Sequence, residues 1–276
     1  MSSQLHVSPT ICLIGAGNMG GAMLGGWLAG GHDPQAITVV DPNPPIYMLE
    51  MIGEHGVTHV SDASQARPAD LIVVAVKPQM MEKVLPGLSG LVTSDNALLS
   101  VAAGTTIAQL AAPFAEVSPR VIRAMPNTPA MVQRGITVCV ANTSVSEQQR
   151  SIVTNTLSAI GMVEWIEDEL LMDAITAVSG SGPAYLFHLA EALAEAGEAA
   201  GLPVQLAATL AEATVSGAGE LMRQSELSPS QLRRNVTSPN GTTQAALEVL
   251  MADGGFPDLL RDAVEAAARR SRELAG

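Results

Sequence analysis

The sequence predicts an α/β fold: a parallel-sheet domain over residues 1–165 followed by an all-α domain over 166–276. Three observations carry this. Short β-branched runs alternate with helical patterns up to about residue 160, as in strands joined by crossover helices. Beyond Trp165 such runs cease and Ala, Leu and Glu dominate. A chain of 276 residues also exceeds one ordinary domain and suits two.

Taken in order, the predicted strands are 10–14, 37–40, 71–76, 97–100, 121–124 and 135–140. The run at 71–76 is apolar without alternation, which fits a strand buried on both faces. The uncharged stretch 97–115 approaches membrane-spanning length, but Gly104, Thr105, Thr106, Gln109 and Pro113 interrupt it, leaving a strand and a short helix. Helices follow at 169–177, 183–200, 204–224, 229–236, 242–252 and 257–273, punctuated by Gly201, Pro203, Pro229, Pro239, Gly254 and Gly255. In 183–200 the polar residues His188, Glu191, Glu195 and Glu198 share a stripe roughly 80° wide, and the rest of the circumference is apolar. Such a helix is either covered by a second subunit, the preferred account, or buried inside its own domain.

The composition excludes several classes. A sequence that is 47% hydrophobic and 15% charged can bury a large core. The net charge of −13, with no basic cluster, argues against nucleic acid and against an anionic membrane surface. Cys12 and Cys139 have no metal-ligand spacing, so neither a metal nor a disulfide is expected. The N-terminus lacks the pattern of a signal peptide, and a cytoplasmic location is the expectation.

The segment ICLIGAGNMG places Gly15, Gly17 and Gly20 as GxGxxG between a strand and an amphipathic helix. In that context Gly15 permits a tight turn, Gly17 lets backbone approach a pyrophosphate, and Gly20 allows helix to pack on strand. Ala16, Asn18 and Met19 complete a loop on the positive end of the helix dipole. This is a Rossmann-type site for a nicotinamide dinucleotide. Asp41 closes the second strand about twenty residues after Gly20, where a carboxylate bonds adenosine ribose hydroxyls and repels a 2′-phosphate. With no nearby Arg or Lys, the residues favour NADH over NADPH, although a solvated turn aspartate before Pro42 is an alternative. The third motif, Ala75, Val76, Lys77 and Pro78, ends a strand at the sheet's carboxyl edge; Lys77, one of two lysines in the chain, is either a cofactor contact or a surface lysine. Met125, Pro126, Asn127 and Thr128 border the same cleft.

In the second domain, Ser179, Ser181 and Gly182 break a helix before Pro183, and Ser238, Asn240, Gly241 and Thr242 precede another. Such loops are usually caps, and they can also form an anion pocket of backbone N–H groups. The stretches IGAGNMG, VAVKPQ, SVAAGTT, RAMPNTPA, DAITAVSGSGPAYLF, VTSPNGTTQAAL and GGFPDLLRDAVEAAARRSREL together resemble pyrroline-5-carboxylate reductases over nearly the whole chain. The resemblance implies reduction of 1-pyrroline-5-carboxylate, a cyclic imino acid, to L-proline by NADPH or NADH, with no metal. It implies that Thr243 hydrogen-bonds the ring nitrogen, that backbone around Gly241 and Thr242 holds the carboxylate, and that Glu226 lies near the substrate amine. It also implies dimers intertwined through the long helix, further assembly up to a decamer, and active sites that draw on both subunits.

Three positions depart from the family pattern. Asn240 replaces a glycine of SPGGTT, Gln133 stands where glycine is common, and Asp41 replaces the Ser, Asn or Arg of NADPH-preferring members. Asn tolerates left-handed backbone better than most residues. The competing readings are a β-hydroxyacid dehydrogenase relative, a general cyclic-imine reductase and a non-enzymatic dinucleotide sensor. The first needs a lysine on the long helix, and no lysine follows Lys83.

Overall fold

The structure is a computed structural model and describes residues 8–275. In chain order the first half comprises β1 (Ile11–Ile14), α1 (Asn18–Ala29), β2 (Ile37–Val40), α2 (Ile46–His55), β3 (Thr58–Val60), β4 (Leu71–Val74), α3 (Met81–Val84), β5 (Ala97–Ser100), α4 (Ile107–Ala111), β6 (Arg120–Met125), β7 (Gly135–Ala141), α5 (Glu147–Ser158) and β8 (Gly161–Trp165). The strands form one sheet in the order β3-β2-β1-β4-β5-β6-β7-β8.

β1, β2, β4 and β5 are buried along their whole lengths. Alternate residues of one strand supply opposite faces: Ile11 and Leu13 join Met23, Leu24 and Trp27 of α1, whereas Cys12 and Ile14 join Leu85, Leu88 and Phe114. A sheet covered on both sides explains the unbroken apolar runs in the sequence. Both cysteines are free and buried, and burial pushes the Cys12 thiol up to about 11 and the Cys139 thiol to about 12.

The structure corrects the strand list in three places. β3 has only three half-buried residues, two of them Thr58 and His59. β8 alternates half-buried and exposed positions at the sheet edge, so both β3 and β8 lack the apolar run that marks a central strand. β4 stops at Val74, and Ala75 and Val76 already belong to the loop at the carboxyl edge. β7 also runs antiparallel to β6, because the connection 126–134 is too short for a parallel crossover.

That reversal passes through a short 3-10 helix, Thr128–Val132, closed by Gln133 at φ +57. Left-handed backbone costs a residue with a Cβ about 1 kcal/mol or more, and the exposed Gln133 side chain offers little in return. We expect Gln133→Gly to raise the unfolding free energy by about 0.5–1 kcal/mol, read from the denaturant midpoint at constant m. A lowered midpoint would contradict this.

The second half comprises a 3-10 turn (Glu169–Leu171), α6 (Met172–Ile175), a π-helical turn (Thr176–Gly180), α7 (Gly182–Ala199), α8 (Val204–Gln224), α9 (Pro229–Asn235), α10 (Thr242–Leu250) and α11 (Phe256–Ala275). The helix expected at 169–177 thus continues to Gly180 as a π turn. Contacts divide the chain into two compact units, one running to Gly180 and resuming at Ala268, the other Ser181–Ala267. The change from strands to helices falls near residue 165, but the first unit extends further: Met172 and Ala177 are buried, and Ser271 donates to Asp173 at 2.6 Å.

In the second unit α7 buries no residue, and Leu186 and Phe187 are 54% and 67% exposed. The described residues of its own unit therefore do not bury this helix. α8 buries only Ala207 and Ala211, with Ala207 against Gly197 of α7. Among the described residues no helix is long and apolar enough to cross a membrane.

Candidate active site

At the carboxyl end of β1 each glycine of the motif has a different physical reason. Gly15 has φ +98, and a Cβ there would lie 2.9 Å from Val76 Cγ1 and 3.0 Å from the Ala75 carbonyl oxygen. A Cβ on Gly20 would fall on the Gly15 carbonyl, so α1 meets its strand only without one. Gly17 is the opposite case. It caps α1 at an ordinary φ of −72, and nothing lies within 4 Å of where its Cβ would be. Among the described residues, neither conformation nor a neighbour requires glycine there. No side chain caps α1 and no acid sits in its first turn, so the first N–H groups and the dipole are available to an anion.

Asp41 follows β2, and its carboxylate is already engaged. Oδ2 accepts the Ala16 N–H at 2.7 Å, and Oδ1 accepts the Asn43 N–H at 2.8 Å. The side chain therefore braces the glycine loop, a role the sequence reading did not include, and each oxygen keeps a lone pair for a ribose hydroxyl. His59 Nε2 lies 2.9 Å from the Asp41 carbonyl oxygen. The strand order sets what a dinucleotide could reach: one with its pyrophosphate at β1 and its adenosine ribose at β2 would extend its nicotinamide end over the ends of β4, β5 and β6.

Those ends carry the remaining residues proposed for the cofactor. Ala75 and Val76 pack against Gly15, and the exposed Lys77 precedes a 3-10 turn, Pro78–Met80, that its side chain does not cap. Asn127 Oδ1 accepts the Ile136 N–H at 2.9 Å, which fixes the side chain and leaves its amide donor group pointing elsewhere. Gly180, at the end of the π turn, sits against Met125; a Cβ would collide with the Met125 Cε. π turns interrupt helices most often at functional sites. Ser179 donates to the Ile175 carbonyl at 3.0 Å. Ser181 and Gly182 start α7 in the other unit.

In the second unit the segment before α10 makes a tight turn. Gly241 N–H bonds the Ser238 carbonyl at 3.0 Å, and a Cβ on Gly241 would stand 3.0 Å from that oxygen. Asn240 adopts φ +57, the left-handed state that asparagine tolerates. Gly241 is the N-cap, and no side chain caps α10. Ser238 and Thr243 are thus not the helix cap. Thr242 is exposed and Thr243 half-buried, and both offer first-turn N–H groups at the positive end of α10. Glu226 is exposed in the α8–α9 loop of the same unit.

Two further residues were missed by sequence reading. Arg123 is buried in β6 and pairs with Glu169 at 3.1 Å. A charge inside the apolar run VIRAM was the available signal.

Residues 169–274 match the model for pyrroline-5-carboxylate reductase dimerisation, and residues 10–104 match that for NADP oxidoreductase, coenzyme F420-dependent. A pyrroline-5-carboxylate reductase of Pseudomonas aeruginosa is 42% identical over 97% of this chain and 97% of its own. This chain belongs to the pyrroline-5-carboxylate reductase family. The solved reductase of Coxiella burnetii is 37% identical and superposes with TM-score 0.89, covering 98% of this chain and 99% of the other. A Plasmodium falciparum pyrroline carboxylate reductase, solved with NADP bound, is 28% identical with TM-score 0.80 over 98% and 99% of the two chains. The reductase dimerisation match spans most of the helices that expose apolar side chains, and the protein self-associates.

Proposed function

We propose that in this family's reaction, reduction of the C=N bond of 1-pyrroline-5-carboxylate to give L-proline, the glycine loop holds the cofactor and the start of α10 holds the substrate carboxylate. The observation that supports the reading is a pair of unexplained backbone openings: Gly17, which nothing among the described residues requires to be glycine, and an uncapped helix start at Thr242 and Thr243. The first suits a pyrophosphate and the second a small carboxylate.

Gly15, Ala16, Gly17, Asn18, Met19 and Gly20 hold the pyrophosphate, Asp41 the adenosine ribose, and Ala75, Val76, Lys77, Pro78 and Asn127 border the nicotinamide end. The bound cofactor supplies a hydride. The N–H groups of Gly241, Thr242 and Thr243 receive the substrate carboxylate, and Ser179, Ser181, Gly182, Ser238 and Asn240 are the remaining substrate contacts. The Thr243 hydroxyl aligns the ring nitrogen, and Glu226 stands by the product amine. A protonated imine is already electrophilic, so these residues act mainly by orientation and exclusion of water. Dimers form through α7, assemble further up to a decamer, and work in the cytoplasm.

The direct test is loss of NADPH or NADH absorbance with 1-pyrroline-5-carboxylate, beside a six-membered cyclic imine. Rapid oxidation with the five-membered ring is expected. Equal rates on both rings would favour a general cyclic-imine reductase, and binding without turnover a dinucleotide sensor.

A further inference from the structure

Arg123 is a charge set in an apolar strand: its side chain is only 5% exposed, and its Nε has no partner among the described residues. Its Nη1 donates to Glu169 Oε1 at 3.1 Å. The same carboxylate oxygen accepts the Ile107 N–H at 2.8 Å. Ile107 opens α4 directly after the loop that leaves β5, and Arg123 lies two residues before Met125, where β6 ends. Glu169 begins the segment that passes through α6 to the π turn and Ser179. One oxygen therefore ties three segments of the same compact unit.

We propose that Glu169 is a positioning residue for hydride transfer, holding the exit loops of β5 and β6 in register at the nicotinamide end of the cofactor site. The inference rests on the functional reading above. On that reading the charged part of the dinucleotide is held elsewhere, at the glycine loop on β1 and at Asp41 beyond β2, and most of the affinity with it. Neither touches Glu169. Misplacement at a reacting centre lowers rate far more than it lowers binding, so the tie acts on turnover and not on affinity.

A purely structural ion pair would behave differently, and buried pairs can often be replaced by apolar side chains without loss of the fold. The test compares wild type with three variants: Arg123→Met combined with Glu169→Leu, which removes the tie; Glu169→Asp, which keeps the charge but shortens the reach to Ile107; and Glu169→Gln, which keeps an oxygen for both donors. In the double variant and in Glu169→Asp, kcat with 1-pyrroline-5-carboxylate falls roughly tenfold or more, while the fluorescence-titrated Kd for NADPH or NADH stays within about threefold. Hydrogen exchange at the Ile107 amide accelerates in the same two variants. Glu169→Gln restores kcat to within about threefold of wild type, with normal Ile107 exchange. Should the double variant fail to fold, Glu169→Asp carries the test alone. Wild-type kcat in either of the two, or kcat and Kd worsening in step, overturns the proposal. A wild-type enzyme inactive on the imine would instead remove the functional reading, and this proposal with it.

Discussion

Thr243→Ala lowers kcat for 1-pyrroline-5-carboxylate by about 10- to 100-fold and leaves the Kd for the reduced cofactor unchanged. The magnitude follows from the bond at stake. A hydrogen bond to a charged group is worth about 1.5–3 kcal/mol, and each ~1.4 kcal/mol is tenfold in rate. The direction follows from the structure, because Thr243 sits in the second unit while the glycine loop lies in the first. Nor does Thr243 cap α10, a position held by Gly241, so its replacement does not uncap the helix. Thr243→Ser keeps the hydroxyl and most of the turnover. Steady-state kinetics beside fluorescence titration decide the matter, and unchanged kcat in the alanine variant would remove Thr243 from the reaction.

The second large effect concerns the choice between NADH and NADPH. Asp41 places a carboxylate at the end of β2 with no cation beside it in sequence, and the charge of a 2′-phosphate would meet it there. Two unit charges about 4 Å apart repel by about 4 kcal/mol at an effective dielectric of 20, which screening reduces. Wild-type protein is expected to work better with NADH. Asp41→Asn keeps an oxygen for the Ala16 N–H and removes the charge, and it should raise kcat/KM for NADPH at least about tenfold relative to NADH. An unchanged ratio would mean that Asp41 only braces the loop. The related Plasmodium protein was solved with NADP bound, and the same measurement shows whether this chain differs from it.

What could be read from sequence was what local chemistry dictates. The glycines at 15 and 20 are demanded by a left-handed turn and by a close backbone approach, and both demands appear in the structure. Asn240 and Gln133, noted as standing where glycine is usual, both adopt positive φ. The apolar circumference of α7 was legible from its spacing, and the structure leaves its Leu186 and Phe187 exposed. What escaped was non-local or weakly patterned. Asp41 reaches across 25 residues to Ala16, and Glu169 across 62 to Ile107, distances at which sequence spacing says nothing about contact. β3 and β8 are short or two-faced edge elements, and the π turn at Thr176–Gly180 differs from a helix break only in backbone register.

The most direct measurement is a crystal structure of the assembled protein grown with NADP+ and L-proline. On the proposed reading, pyrophosphate oxygens lie on the N–H groups at the start of α1, passing over Gly17, and the proline carboxylate on those of α10. Its ring nitrogen would lie within hydrogen-bond reach of Thr243 Oγ1, whichever subunit supplies it. Proline bound far from the nicotinamide, with Gly17 and Thr243 opening onto unrelated surfaces in every pairing of subunits, would contradict it.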